Sequence, residues 1–113
     1  MMSDCLFCRI VRGEIPATQV AESEDCLAFR DISPQAPVHV LVIPKRHYRS
    51  LEEVPDASVV GAMSMLAQQV ARSEGIAAKG YRCVINTGED GGQTVGHLHL
   101  HVLGGRGHKW PPG

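Results

Sequence analysis

The chain has 113 residues and a formal net charge of −1, enough for one domain with a modest core, expected over 1–113, and without the basic excess that nucleic acid or an anionic membrane would select. No apolar run approaches the ~20 residues needed to span a bilayer, and "MMSDCLFCRI" lacks the basic-then-apolar order of a secretory leader, so a cytoplasmic location is expected. In that setting Cys5, Cys8, Cys26 and Cys83 are expected as thiols or metal ligands rather than as a disulfide framework.

In chain order, "DCLFCRIV" clusters Leu6, Phe7, Ile10 and Val11 at helical spacing and stops near Gly13, which predicts a short packing helix. "CLAFRDI" and "HVLVIP" carry the β-branched and aromatic content of strands. Beyond them Val59, Met63, Leu66 and Val70 recur at three- and four-residue intervals, predicting the main helix, entered near Pro55-Asp56 and left at Gly75. Met63 belongs to that stripe and, like Met65, is read as packing rather than as a soft-metal site. "YRCVINT" alternates Tyr81, Cys83 and Ile85 against Arg82, Val84 and Asn86, a third strand. The basic corner Lys45-Arg46-His47-Tyr48-Arg49 reads as solvated.

The stretch "HLHLH", His97–His101, is most informative as a strand, because residues i, i+2 and i+4 then share a face. The imidazoles would line one side, with Leu98, Leu100 and Val102 on the other, toward the core. Three chemistries suit such a row: metal ligation, an acid–base relay, or a histidine nucleophile held in one tautomer. Upstream, "NTGEDGGQTVG" has the glycine content of a phosphate-binding nest, in which the Gly91 and Gly92 amides with Thr94 would hold a phosphate near His99. A His99 oriented through its far nitrogen could then attack phosphorus, so phosphoryl or nucleotidyl transfer is the expected class. Cys5-x-x-Cys8 by itself suggests zinc, redox work or two buried thiols, and the absence of a βαβ context disfavours redox.

His97-Leu98-His99-Leu100-His101-Val102-Leu103 resembles the signature of the histidine-triad (HIT) superfamily. With "FRDISPQAPVHVLVIPKRH", "INTGEDGGQTVGHLHLHVLGGR" and the terminal "WPPG", the chain is similar over nearly its whole length to the nucleotide-binding (Hint) branch. That resemblance implies an α+β fold with a five-stranded antiparallel sheet and two helices, and a homodimer joining two sheets into a continuous ten-stranded one. It implies hydrolysis of purine nucleoside phosphoramidates through a nucleotidyl-histidine intermediate, without a catalytic metal. His99 would be the nucleophile, His101 the orienting and charge-stabilising histidine, and His39 the fourth histidine bonded into the row. Thr94 stands where the family usually has a phosphate- or leaving-group-contacting serine, and Gly96 where an aromatic residue often precedes the triad. Asp31 would bind ribose and Asn86 and Gly92 the sugar–phosphate part, while Leu6, Phe7, Ile10, Phe29 and Ile32 would form the base slot. Asp31 and Asn86 by themselves read as a turn residue and a strand-end hydrogen bonder. Trp110, in the tail 104–113, would reach toward the partner's site. Some bacterial relatives with a CxxC pair hold structural zinc, and here Cys5, Cys8, His47 and His97 would supply a tetrahedral set; His108 takes no role. The purine nucleoside monophosphate and its amidates are the implied ligands. The alternative is a zinc-stabilised nucleotide- or partner-binding module with weak or no catalysis.

Overall fold

The computed structural model describes residues 5–113. Residues 1–4, where the expected domain and the "DCLFCRIV" stretch begin, lie outside it. The architecture is α+β: five antiparallel strands in one open sheet, in the order β1-β2-β3-β5-β4, with a helix against each face. The strands are β1 (Gln19–Glu22), β2 (Cys26–Arg30), β3 (Val38–Pro44), β4 (Arg82–Ile85) and β5 (Leu100–Gly104), and the helices are α1 (Leu6–Val11) and α2 (Ala57–Ser73).

Both helices begin and end on local chemistry. Asp56 caps α2 by accepting the Ser58 N–H at 2.8 Å. The helix closes where Ile76 N–H reaches the Ala71 carbonyl and Gly75, at φ +74°, takes the left-handed turn. Cys5 caps α1 with its sulfur, which accepts the Cys8 N–H at 3.4 Å, and the chain reverses at Gly13.

Period-two alternation divides the sheet into faces. Cys26, Ala28, Val40, Val42, Leu100 and Val102 pack with Met63, Leu66, Ala67 and Val70 of α2. Leu27, Phe29, Leu41 and Ile43 point the other way and pack with Phe7 of α1. A buried aliphatic side chain contributes roughly 1.5–3 kcal/mol, so the α2 face supplies most of the apolar stabilisation. The α1 face has the smaller core, and there the functional residues collect. Met63 is fully buried as expected, whereas Met65 is exposed.

Three boundaries differ from the sequence pattern. β1 was not singled out, because "QVAE" is four residues with one β-branched side chain and a register irregularity between Gln19 and Ala21. β2 ends at Arg30, where Asp31 opens a turn by accepting the Ser33 N–H. Ladder bonding in the histidine segment begins only at Leu100. Leu98 nevertheless donates its N–H to the Tyr48 carbonyl at 2.7 Å and, like Leu100, is buried against α2, so the segment stays extended and its alternation holds.

Candidate functional site

On the α1 face lies a cleft of about 780 Å³. Leu6, Phe7 and Ile10 of α1 form one wall, Phe29 and Leu41 the floor, and Asp31, Ile32, Thr94, His99 and His101 the polar side and rim. Ile32 stands at that rim, 96% exposed. Leu41 was missed from the pattern, although its parity opposite Val40 and Val42 would have found it. His39 sits one step behind the cleft, bonded to His101.

The expected residues Asn86 and Gly92 are absent from the cleft lining, and Trp110, expected at the partner's site, does not line this chain's own cleft. Asn86 follows the end of β4, and Trp110 is 83% exposed on the tail. The Gly92 N–H donates to the Glu89 carbonyl at 3.0 Å, and Gln93 N–H to Gly88 at 3.0 Å. The Gly92 and Gln93 amides are thus spent on closing the loop's own turn, so of the two amides expected to form the nest, that of Gly92 is already bonded within the loop. The glycines serve the turn itself: Gly92 has φ +78°, and a Cβ on Gly91 would lie 2.2 Å from the Thr87 carbonyl oxygen.

Fixed backbone partners determine the tautomer of each histidine in the row. His99 Nδ1 lies 2.7 Å from the His97 carbonyl oxygen, so Nδ1 carries and donates the proton and Nε2 holds the lone pair. Phe7 packs edge-on against that ring at 5.3 Å. His39 Nδ1 accepts the Gln35 backbone N–H at 2.9 Å. The proton of neutral His39 therefore sits on Nε2 and is donated to His101 Nδ1 at 2.9 Å. That leaves the His101 proton on its own Nε2. Asp31 Oδ2 lies 3.4 Å from His39 Nε2 and its Oδ1 holds the Ser33 turn, so the turn reading and the site reading of Asp31 coexist. Burial, reinforced by His99 and His39, pushes His101 down to about 4. Burial also lowers His39, against the opposing pull of Asp31. Both imidazoles are neutral hydrogen-bonding groups near neutrality.

The third histidine of the row does different work. His97 is fully buried, and its Nε2 lies 2.9 Å from the Pro44 carbonyl oxygen, so Nε2–H donates and Nδ1 offers a lone pair. That Nδ1 lies 3.3 Å from Cys5 Sγ, 3.5 Å from Cys8 Sγ and 3.2 Å from His47 Nδ1, and His47 Nδ1 lies 3.2 Å from Cys8 Sγ. A tetrahedral zinc ion, at about 2.3 Å from sulfur and 2.0–2.1 Å from nitrogen, sets donor–donor edges of roughly 3.3–3.8 Å. The donor set therefore fits such an ion in both size and chemistry. An imidazole donating its outer N–H to a backbone carbonyl is the usual support for a metal-binding histidine. Burial, with the adjacent Cys5 sulfur, pushes the Cys8 thiol up to about 11, while burial holds His97 near 4 and so neutral. A divalent cation among these donors relieves the thiolate repulsion and deprotonates the sulfur.

The HIT domain family matches residues 12–108. An uncharacterized HIT-like protein of Synechococcus elongatus is 51% identical over 115 aligned positions, covering all of both chains. A crystal structure of a HIT family hydrolase from Legionella pneumophila superposes with a TM-score of 0.94 at 50% identity, covering 97% of this chain and 100% of that one. A Zn-bound histidine triad family protein from Mycobacterium smegmatis superposes at 0.84 with 38% identity, covering 94% of this chain and 78% of that one.

Proposed function

Given that the chain belongs to the HIT domain family, we propose that it is a hydrolase of purine nucleoside phosphoramidates acting through a nucleotidyl-histidine intermediate, with 1–113 as one HIT domain. The observation that carries this reading is the 2.7 Å hydrogen bond from His99 Nδ1 to the His97 carbonyl, which leaves Nε2 as the nucleophilic nitrogen on a ring lining the cleft. The similarity to a HIT family hydrolase supports the reaction class.

In the first step the Nε2 lone pair bonds to the α-phosphorus and the phosphoramidate P–N bond breaks. The amine departs with the bonding electrons and takes up a proton given up by the histidine row, which the water of the second step restores. The nucleotidylated ring is cationic, and its Nδ1–H remains on the His97 carbonyl, which stabilises that charge. His101, oriented by the Gln35–His39 chain, directs its Nε2–H to a phosphoryl oxygen, and Thr94 supplies a hydroxyl beside it. Water then attacks phosphorus, its proton passes into the histidine row, the nucleoside monophosphate leaves, and His99 Nε2 recovers its lone pair. Leu6, Phe7, Ile10, Phe29 and Ile32 would bracket the base, and Asp31 would bind the ribose. Asn86 and Gly92 are assigned to the sugar–phosphate part by family resemblance, and Trp110 to the partner's site. The edge position of β4 supports a homodimer in which two sheets continue across that edge.

Cys5, Cys8, His47 and His97 would hold a structural zinc ion; the Zn-bound relative supports this. Bound there, zinc cross-links α1, the loop after β3 and the segment entering β5. No helix among the described residues is long and apolar enough to cross a membrane, and a cytoplasmic location is part of the proposal.

The test is steady-state hydrolysis of a fluorogenic adenosine phosphoramidate by wild-type and His99→Ala protein, with bound zinc quantified in both. Turnover in wild type, and its loss by about 10³-fold or more in a variant that keeps zinc and binds AMP, is the expected result. Binding of AMP without turnover in either protein would instead favour a binding module.

A further inference from the structure

The donors of the Cys/His cluster reach the cleft through two short links. The first is His97 itself: its ring nitrogen faces the two sulfurs, while its backbone carbonyl, in the same residue, accepts the His99 Nδ1 proton at 2.7 Å. Displacement of the His97 backbone therefore moves the group that sets the tautomer of His99. The second is Phe7, which lies in sequence between Cys5 and Cys8 and in space against both histidines. Its ring centroid is 5.8 Å from that of His97, 5.3 Å from that of His99 and 5.4 Å from that of Phe29, edge-on in each case. Phe7 is also a wall of the cleft.

The short helix that carries Phe7 depends on this corner. A six-residue helix is far below the length that is stable by itself. α1 joins no ladder of the sheet, and its buried residues are Phe7 and Cys8 alone. The same two positions that seat the helix thus seat the cluster and the cleft wall.

Resting on the metal reading of the preceding section, we infer that the Cys5/Cys8/His47/His97 centre is thermodynamically coupled to nucleotide binding in the cleft, with Phe7 and the His97 carbonyl as the positioning groups that carry the coupling. Metal in the cluster fixes α1 and His97, and so holds Phe7 against the base and His99 in its reactive tautomer. By reciprocity, a nucleotide that presses on Phe7 and His99 must tighten the hold on the metal by the factor with which the metal tightens the nucleotide. The centre is then part of how the cleft binds, rather than a distant staple.

The experiment uses the zinc-loaded protein and follows transfer of zinc to a chromophoric chelator, with and without saturating AMP, in wild type and in Phe7→Leu, which keeps an apolar side chain at the position. AMP is expected to retard transfer by about tenfold in wild type and by less than about twofold in Phe7→Leu saturated with AMP. Equal transfer with and without AMP in wild type would overturn the coupling. Equal protection in both proteins would overturn the role of Phe7, since it would reflect general stabilisation of the fold. A second readout is the cadmium NMR resonance of cadmium-substituted protein, which reports donor geometry and moves on AMP addition only if the centre senses the cleft; a stationary resonance counts against the inference. Failure of the protein to bind zinc in direct titration would remove the metal reading and this inference together. Zinc that binds but ignores AMP removes the inference alone.

Discussion

Two clusters of close-set donors flank His99, one of Cys5, Cys8, His47 and His97 and the other of Asp31, His39 and His101, and in each the candidate ligand atoms lie within 4.8 Å of one another. By composition both could be taken for metal sites. What separates them is the backbone group on the far nitrogen. Pro44 offers His97 a carbonyl, so the His97 proton points outward and a lone pair points into the cluster. Gln35 offers His39 an N–H, so the lone pair points outward and the proton points in, toward His101. A cation among Asp31, His39 and His101 would require His39 to carry its proton on Nδ1, against the Gln35 N–H. The first cluster is thus arranged for a metal and the second for passing hydrogen bonds, and one hydrogen bond to the main chain makes the difference.

The comparison breaks most severely at Cys8→Ser. Removal of a thiolate from the first cluster should abolish stoichiometric zinc and destabilise the fold by several kcal/mol, lowering Tm by roughly 10 °C or more. Zinc analysis and calorimetry check this, and a variant with full zinc and unchanged Tm would show that the cluster is not a metal centre. His39→Ala should do the reverse: zinc content and Tm near wild type, with kcat reduced about tenfold to a hundredfold because His101 loses its oriented donor. Loss of zinc in His39→Ala would mean that the clusters are not separable.

The smallest effect concerns pH. His39, His97 and His101 are held below the ordinary imidazole value when folded, His97 and His101 at about 4. Between about 6.5 and 4 the unfolded chain therefore binds more protons than the folded one, so stability is full above about 6.5 and is lost as pH falls toward 4. Urea melts across that window should show this slope, and His101→Asn should reduce it. A slope of the same size in His101→Asn would assign the pH dependence to other groups.

Much of the site was legible because it is written in short-range periods. The alternation of His97–His101 predicts which residues face the core and which the cleft, and Leu98, Leu100 and Val102 are buried against α2 as that period requires. The stripe from Val59 to Val70 predicts α2 and Asp56 its cap. Harder to read was β1, whose four residues carry too little pattern to stand out from a loop. The glycine run near Gly91 and Gly92 read as an anion nest because glycine permits that geometry, but permission does not state where the amides point. Those of Gly92 and Gln93 point into the turn.

The amino-acid order by itself determined the faces of the sheet, the helix ends and the identity of the chemical groups, since all of these follow from steric and hydrogen-bonding rules acting over a few residues. Tertiary structure alone decided which nitrogen of His97 faces the cysteines and which nitrogen of each ring carries the proton. The partners that settle those questions, the carbonyl of Pro44 for His97 and the amide of Gln35 for His39 and, through it, His101, belong to the main chain. Every residue but proline has that amide and every residue has that carbonyl, so no side-chain identity marks the one that will be used. Only the packing of β3 beside β5, with α1 seated on the β2–β3 face, brings it into place.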